Sequence, residues 1–184
     1  GQFDPREALG VIEKTFGKIP RPKRKLANTY TEEPAQDGER IVMLRRVGKV
    51  AVVGALYHIP AGPHPDFVPL NVLADILTSS PTGRLYKSLV QTKRASSLQG
   101  DAYAFHDPGV IGLMAEVTPG NDARDVLTRM TDTIDEVIAR GVTDEEVKRS
   151  QARFLRQREQ AANNTSQLAV QLSEWAAQGD WRMD

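Results

Sequence analysis

Hydrophobic residues recur at helical spacing in several segments of this chain, and each segment has the residues that begin or end a helix. The first segment starts at Asp4-Pro5, a cap followed by proline at the first helical position, and stops at Gly17. The last starts at the capping box Thr143-Asp144-Glu145-Glu146, and Asn163-Asn164 is a candidate break within it. Further helices are predicted after Asp66, over about Gly83 to Thr92, and from Val126 to Gly141.

Runs rich in β-branched residues predict strands between these helices. Residues 40 to 47 and 50 to 59 are separated by Gly48-Lys49 and predict a hairpin. The second of these runs is apolar on both faces, which is typical of a central strand. Residues 97 to 105 and 110 to 117 predict another antiparallel pair around Asp107-Pro108-Gly109. Apolar residues alternate in the 110 to 117 run, so that strand should be half-buried.

The predicted order of elements is ββ-αα-ββ-αα. Because the strands arrive as hairpins and do not alternate singly with helices, the pattern indicates an α+β fold. We expect an antiparallel sheet with helices packed on one face. Residues 18 to 38 carry prolines and the basic run Arg21 to Lys25, which together predict a solvated linker.

The composition of the chain argues against several classes of protein. The 184 residues include 24 basic and 24 acidic side chains, and this balance argues against a nucleic-acid partner. No run reaches the roughly 18 apolar residues of a membrane span. The chain has no cysteine, which excludes disulfides and thiolate chemistry.

Catalytic and metal-binding patterns are absent from the sequence. Neither H-x-x-E-H nor H-E-x-x-H occurs, although zinc needs two imidazoles that face the same ion. His58, His64 and Asp66 could imitate a small metal cluster, but a strand end and a helix cap explain them better. Ser79-Ser80 and Ser96-Ser97 have no adjacent base or nucleophile elbow. We therefore expect no catalytic residue and no metal ligand in this chain.

Three stretches nevertheless resemble one protein family. They are Y-H-I-P-A-G-P-H-P-D at residues 57 to 66, R-L-Y-K-S-L at 84 to 89 and G-D-W-R at 179 to 182. Together with G-Q-F-D-P at the start, they resemble the second, non-zinc domain of bacterial insulinase/pitrilysin metallopeptidases. This resemblance implies the insulinase or mitochondrial-processing-peptidase type of metallohydrolase domain. It also implies that residues 1–17 are the last helix of a preceding catalytic domain, 18–38 a linker and 39–184 the inactive domain, cut short at its C-terminal end.

The family's substrate-gripping domain carries an Arg and a Tyr seven residues apart after the R-L-Y stretch. Val90 and Ser97 occupy those two positions here, which fits the second domain. By family analogy, a substrate-binding ledge would lie at Leu98, Gly100, Ile111 and Gly112. Glycines there would allow close approach of a peptide backbone, and a β-bulge explains them equally well.

The resemblance implies a domain that helps to enclose peptide substrates, with zinc held by the preceding domain of the parent protein. Its partners would be that domain, the other half of the peptidase and the peptide. The alternative is a structural subunit like the respiratory-complex core proteins, which keep this fold without proteolysis. Apolar surface meant for neighbouring domains should be exposed and drive self-association of the fragment. The compartment, bacterial cytoplasm or periplasm, stays undetermined.

Overall fold

The computed structural model describes residues 2–25, 36–179 and 182. The chain divides into two compact units, residues 1–46 and 47–184. Part of the predicted linker, residues 26–35, lies outside the described residues, as do Asp180 and Trp181 of the G-D-W-R stretch.

The first unit contains helix α1, Pro5–Phe16. Its predicted cap is confirmed, because an Asp4 carboxylate oxygen accepts hydrogen bonds from the backbone N–H groups of Arg6 at 2.7 Å and Glu7 at 3.1 Å. The apolar stripe of this helix is exposed, and none of its twelve residues, all of which are described, is buried.

The predicted strand from 40 to 47 was wrong. Those eight residues are all described, and they form no strand and are exposed. The apolar side chains Ile41, Val42 and Leu44 are 74%, 80% and 78% exposed. β-Branched residues favour an extended backbone, but a strand also needs a neighbour to share its hydrogen bonds and cover its side chains.

The sheet of the second unit has three antiparallel strands: β1 (Val52–Ile59), β2 (Ala95–Tyr103) and β3 (Gly109–Val117). The β2–β3 hairpin confirms the second predicted pair. The order is β1-β3-β2, so β3 is central and β1 lies at an edge. The prediction that residues 50–59 form a central strand was therefore wrong, since in the described sheet β1 pairs with β3 alone. An apolar composition favours burial of the side chains and does not fix the number of neighbouring strands.

Helices cover one face of this sheet, which confirms the α+β fold. They are α2 (Phe67–Thr78), a π-helix (Tyr86–Val90) and α3 (Ala123–Arg140). The core lies between them and the inward side chains of the strands; it includes Val53, Ile59, Leu77, Leu85, Leu89, Ile111, Leu113, Ala115, Val117, Val126, Met130 and Ile134. The predicted alternation in β3 holds, since Met114 and Glu116 point to the opposite face and are exposed.

Two further helices follow, α4 (Asp144–Ala162) and α5 (Thr165–Gln178). The predicted capping box is present at Thr143, and the predicted break falls at Asn163. Asn164 then caps α5 by accepting from two backbone N–H groups at 3.1 Å. Asp66 precedes α2, but its side chain makes no capping hydrogen bond with the described residues. Of the described helices, none has the length and apolar character to cross a lipid bilayer.

Candidate functional site

The R-L-Y-K-S-L stretch forms a helical turn that packs into the hydrophobic core. Leu85 and Leu89 are both fully buried, on the one side of the turn that faces the core. The turn is wound as a π-helix, in which the Gln91 N–H donates to the Tyr86 carbonyl at 3.0 Å. Buried leucines four residues apart explain this part of the pattern as packing.

Arg84, which opens the same stretch, makes a bidentate ion pair with Glu146 at the start of α4. Its Nε donates to Oε1 at 2.8 Å and its Nη2 to Oε2 at 2.7 Å. Glu146 also accepts from the backbone N–H and the hydroxyl of Thr143, at 2.8 and 3.0 Å. The Arg84 hydrogen bonds, against the cost of burial, lower the pKa of Glu146 to about 2, and Glu146 in turn raises the pKa of Arg84. This pair ties the turn after α2 to α4.

Val90 and Ser97 are the residues at which the resemblance puts the family's Arg and Tyr. Val90 ends the π-helix and packs partly buried against the core. Ser97 lies in β2 opposite Glu116, beside the irregular register between residues 95 and 97. Neither side chain carries a charge, so neither can form an ion pair with a substrate.

The residues of the expected ledge lie close together in the β2–β3 hairpin but on two faces of the sheet. Leu98 and Gly100 are half-buried on the helix-covered face, where Ile111 is buried. A Cβ on Gly100 would lie 2.6 Å from Leu113 Cδ2, so close packing explains this glycine. The bulge in β2 falls earlier in the strand than Gly100.

Gly112 lies on the opposite face, between the side chains of Leu56 and Tyr103. Around it is a row of exposed apolar side chains, which we call the outer sheet face: Val52, Leu56, Tyr103 and Met114, which are 53%, 72%, 49% and 53% exposed. Sequence reasoning missed this surface because β1 is apolar on both faces, so its pattern could not show which face the helices cover. Leu56 lies between Ala55 and Tyr57, which are also apolar, so no polar neighbour of Leu56 marks one face of the strand as exposed.

A groove of about 1170 Å³ also lies among α2, α4 and α5. Aromatic side chains from all three helices line it, namely Phe67, Phe154 and Trp175. Its walls are rich in amide side chains, among them Gln151, Gln157, Gln160 and Gln171. Arg158 and Glu174 also line it. A lining that is mostly aromatic, aliphatic and amide is typical of a binding surface.

The histidines do not converge on a common point. His58 lies on β1, whereas His64 precedes α2 and accepts a hydrogen bond at Nδ1 from the Asp66 N–H at 3.1 Å. Accepting at Nδ1 places the ring proton of a neutral His64 on Nε2. Within the described ranges no three His, Asp or Glu side chains are grouped as metal ligands.

Comparison with known proteins places this fold in a family. The family model of the peptidase M16 inactive domain matches residues 1–154. The crystal structure of the inactive peptidase domain of a candidate zinc protease from Bordetella parapertussis is 38% identical. That match covers 76% of this chain and 75% of the other, with a TM-score of 0.68. No curated protein sequence matches significantly.

More distant structures share the fold. A protease from Helicobacter pylori matches 98% of this chain at 20% identity, with a TM-score of 0.90. A chain of complex III from Candida albicans matches 97% at 17% identity, with a TM-score of 0.72. In both cases this chain spans 44% of the other. The family match and the Bordetella relative together show that this chain belongs to the M16 peptidases, in which it corresponds to the inactive domain.

Proposed function

We propose that this chain is the non-catalytic domain of a zinc-dependent endopeptidase and helps to form the closed chamber that holds peptide substrates. The observation that supports this role most directly is the outer sheet face. It exposes a row of apolar side chains on a sheet whose other face is covered by helices. Gln99, Asp101 and Glu116 lie on the same face, so the surface is mixed apolar and polar. Such a surface suits contact with another domain or with an unfolded peptide.

The proposed division of labour follows the family. Residues 1–17 would complete a preceding catalytic domain that holds the zinc, 18–38 would link the two, and 39–184 would form the inactive domain. The other half of the peptidase would close over the peptide. This domain would contribute shape and apolar surface, and its partner the chemistry.

We further place the peptide ledge at strand β2. It is an edge strand of the described sheet, so one side of its backbone can accept an additional strand. Leu98 and Gly100 lie on this strand, and Ile111 and Gly112 on the strand that supports it. A peptide added there would pair through main-chain hydrogen bonds, which tolerate many sequences.

A peptidase assay on the parent protein, beside this chain alone, tests the proposal. We expect the parent to cleave unfolded peptides and to lose that activity with a zinc chelator, while this chain alone cleaves nothing. Cleavage by this chain alone would contradict the proposal. The ledge is tested separately by titrating the isotope-labelled chain with an unstructured peptide, since amide shifts should concentrate at residues 95–103. Shifts confined to α3 or absent altogether would contradict the ledge.

A structural subunit is the second candidate. The complex III chain favours it, because its fold matches almost the whole of this chain. A parent that is inert to peptides with zinc present, but that assembles into a stable complex through the outer sheet face, would establish this second role.

A further inference from the structure

A small, partly open space lies where the end of α2, the turn at Ser79–Thr82 and the first turns of α4 meet. The volume open to the centre of a water-sized sphere is about 10 Å³. This is close to the minimum that one water molecule needs, about 10–15 Å³. Most of its lining is polar and comes from Asp75, Ser79, Thr82, Glu146, Arg149 and Ser150.

Ser150 points to a ligand in this space. It is only 2% exposed, yet its hydroxyl has no hydrogen-bond partner in the described part of the protein. A serine or threonine inside a helix usually donates to the carbonyl four residues back. Ser173 does so at 2.7 Å and Thr133 at 2.8 Å, but Ser150 does not. A buried hydroxyl without a hydrogen-bond partner destabilises the fold, so we expect the space beside Ser150 to contain a hydrogen-bonding ligand.

The other groups around the space can bind a neutral ligand. Asp75 pairs with Arg153 at 3.3 Å, and Glu146 pairs with Arg84 at 2.7 Å. Since each carboxylate already faces a guanidinium, the space has no net negative charge that would favour a cation. The hydroxyls of Ser79 and Thr82 are 3.5 Å apart, so their mutual bond is weak and they can serve a third group.

We propose that this cavity binds one ordered water molecule, which partners the Ser150 hydroxyl and bridges it to the polar groups at the end of α2 and in the Ser79–Thr82 turn. The water fills the space beside the Arg84–Glu146 pair. It thereby completes the polar connection between α2, the turn and α4, independently of whether the domain serves a peptidase or a structural complex.

Thermal unfolding of Ser150→Ala tests the proposal, with Ser173→Ala as the matched control. Both variants replace a serine inside a helix, so both gain the same helix propensity. If a water molecule is hydrogen-bonded to Ser150, the Ser150→Ala variant loses that hydrogen bond, which contributes about 1 kcal/mol. It should then melt about 2–4 °C below the control, because about 1 kcal/mol shifts the melting temperature by that amount in a domain of this size. A Ser150→Ala variant that melts at or above the control would overturn the proposal, because removing an unpartnered hydroxyl relieves a cost.

A crystal structure of the unaltered chain gives an answer that does not depend on the variant. We expect a density peak within about 3.2 Å of Ser150 Oγ, with further contacts at hydrogen-bond length to the lining groups. An empty cavity, or a peak with the short contacts of a bound metal ion, would overturn the proposal even if the variant is unstable.

Discussion

Replacing Glu146 with glutamine should destabilise the domain by an amount that depends on pH. The substitution keeps the size of the side chain and its ability to accept from Thr143, but it removes the charge that Arg84 faces. A pKa of about 2 in the folded state, against an ordinary value of 4.5, corresponds to roughly 3 kcal/mol without screening. Arg84 and Glu146 are 25% and 16% exposed, so solvent reduces this to about 1–2 kcal/mol.

The direction of the pH dependence follows from the lowered pKa. Above the unfolded value of 4.5, Glu146 is charged in both states and the ion pair contributes fully. As the pH falls from there towards 2, the unfolded chain takes up the proton first, and the contribution disappears. Glu146→Gln should therefore melt about 2–8 °C below the unaltered chain at pH 7, and the difference should shrink steadily between pH 5 and pH 3.

Glu145→Gln is the matched control, because Glu145 is exposed in the same first turn of α4 and feels the same helix dipole. Thermal unfolding of both variants at pH 7, 5, 4 and 3 gives the comparison. A double-mutant cycle that adds Arg84→Gln isolates the pair itself. The reasoning would be refuted if both glutamine variants had the same decrease in melting temperature. A decrease for Glu146→Gln that stays constant down to pH 3 would refute it as well.

Five other substitutions probe the sheet. Leu113→Ala should lower the free energy of unfolding by about 2–5 kcal/mol, since this side chain on the central strand is 1% exposed. Met114→Ala, on the other face of the same strand, should change it by less than about 0.5 kcal/mol. Gly100→Ala should cost about 1–3 kcal/mol, because the new methyl would lie 2.5 Å from an α2 side chain; Gly112→Ala, with 3.3 Å to its nearest neighbour, should cost less. Denaturant unfolding measures all four, and equal effects within either pair would contradict the assigned faces. Leu56→Glu should lower self-association in sedimentation while leaving the melting temperature unchanged; a chain that is already monomeric at high concentration would contradict this.

Local signals predicted most of the helices. Asp4 before Pro5, the box at Thr143 and Asn164 each act through hydrogen bonds to backbone groups within three residues. Such contacts need nothing from the rest of the fold, so the helix ends lie where the sequence indicates. The β2–β3 hairpin was predictable for the same reason, since its strands are close in sequence.

The strand order and the candidate surfaces were not predictable in this way. Residues 40–47 and 50–59 look alike in composition, yet only the second run contains a strand, and that strand pairs with residues 50 or more positions later. Periodicity could not show which face of β1 is covered, because both faces are apolar. Val52 and Leu56 are exposed because they point to the face that the described helices leave uncovered, as does Met114 on the central strand.

The sequence by itself determined where the helices start and stop, which residues could form the core, and that no zinc-peptidase string is present, because these properties depend on local hydrogen bonding and residue type. Tertiary structure decided the rest. It brought Arg84 to Glu146 across 62 positions and left the Ser150 hydroxyl facing a cavity. These outcomes depend on how distant segments pack against each other, which no local pattern encodes.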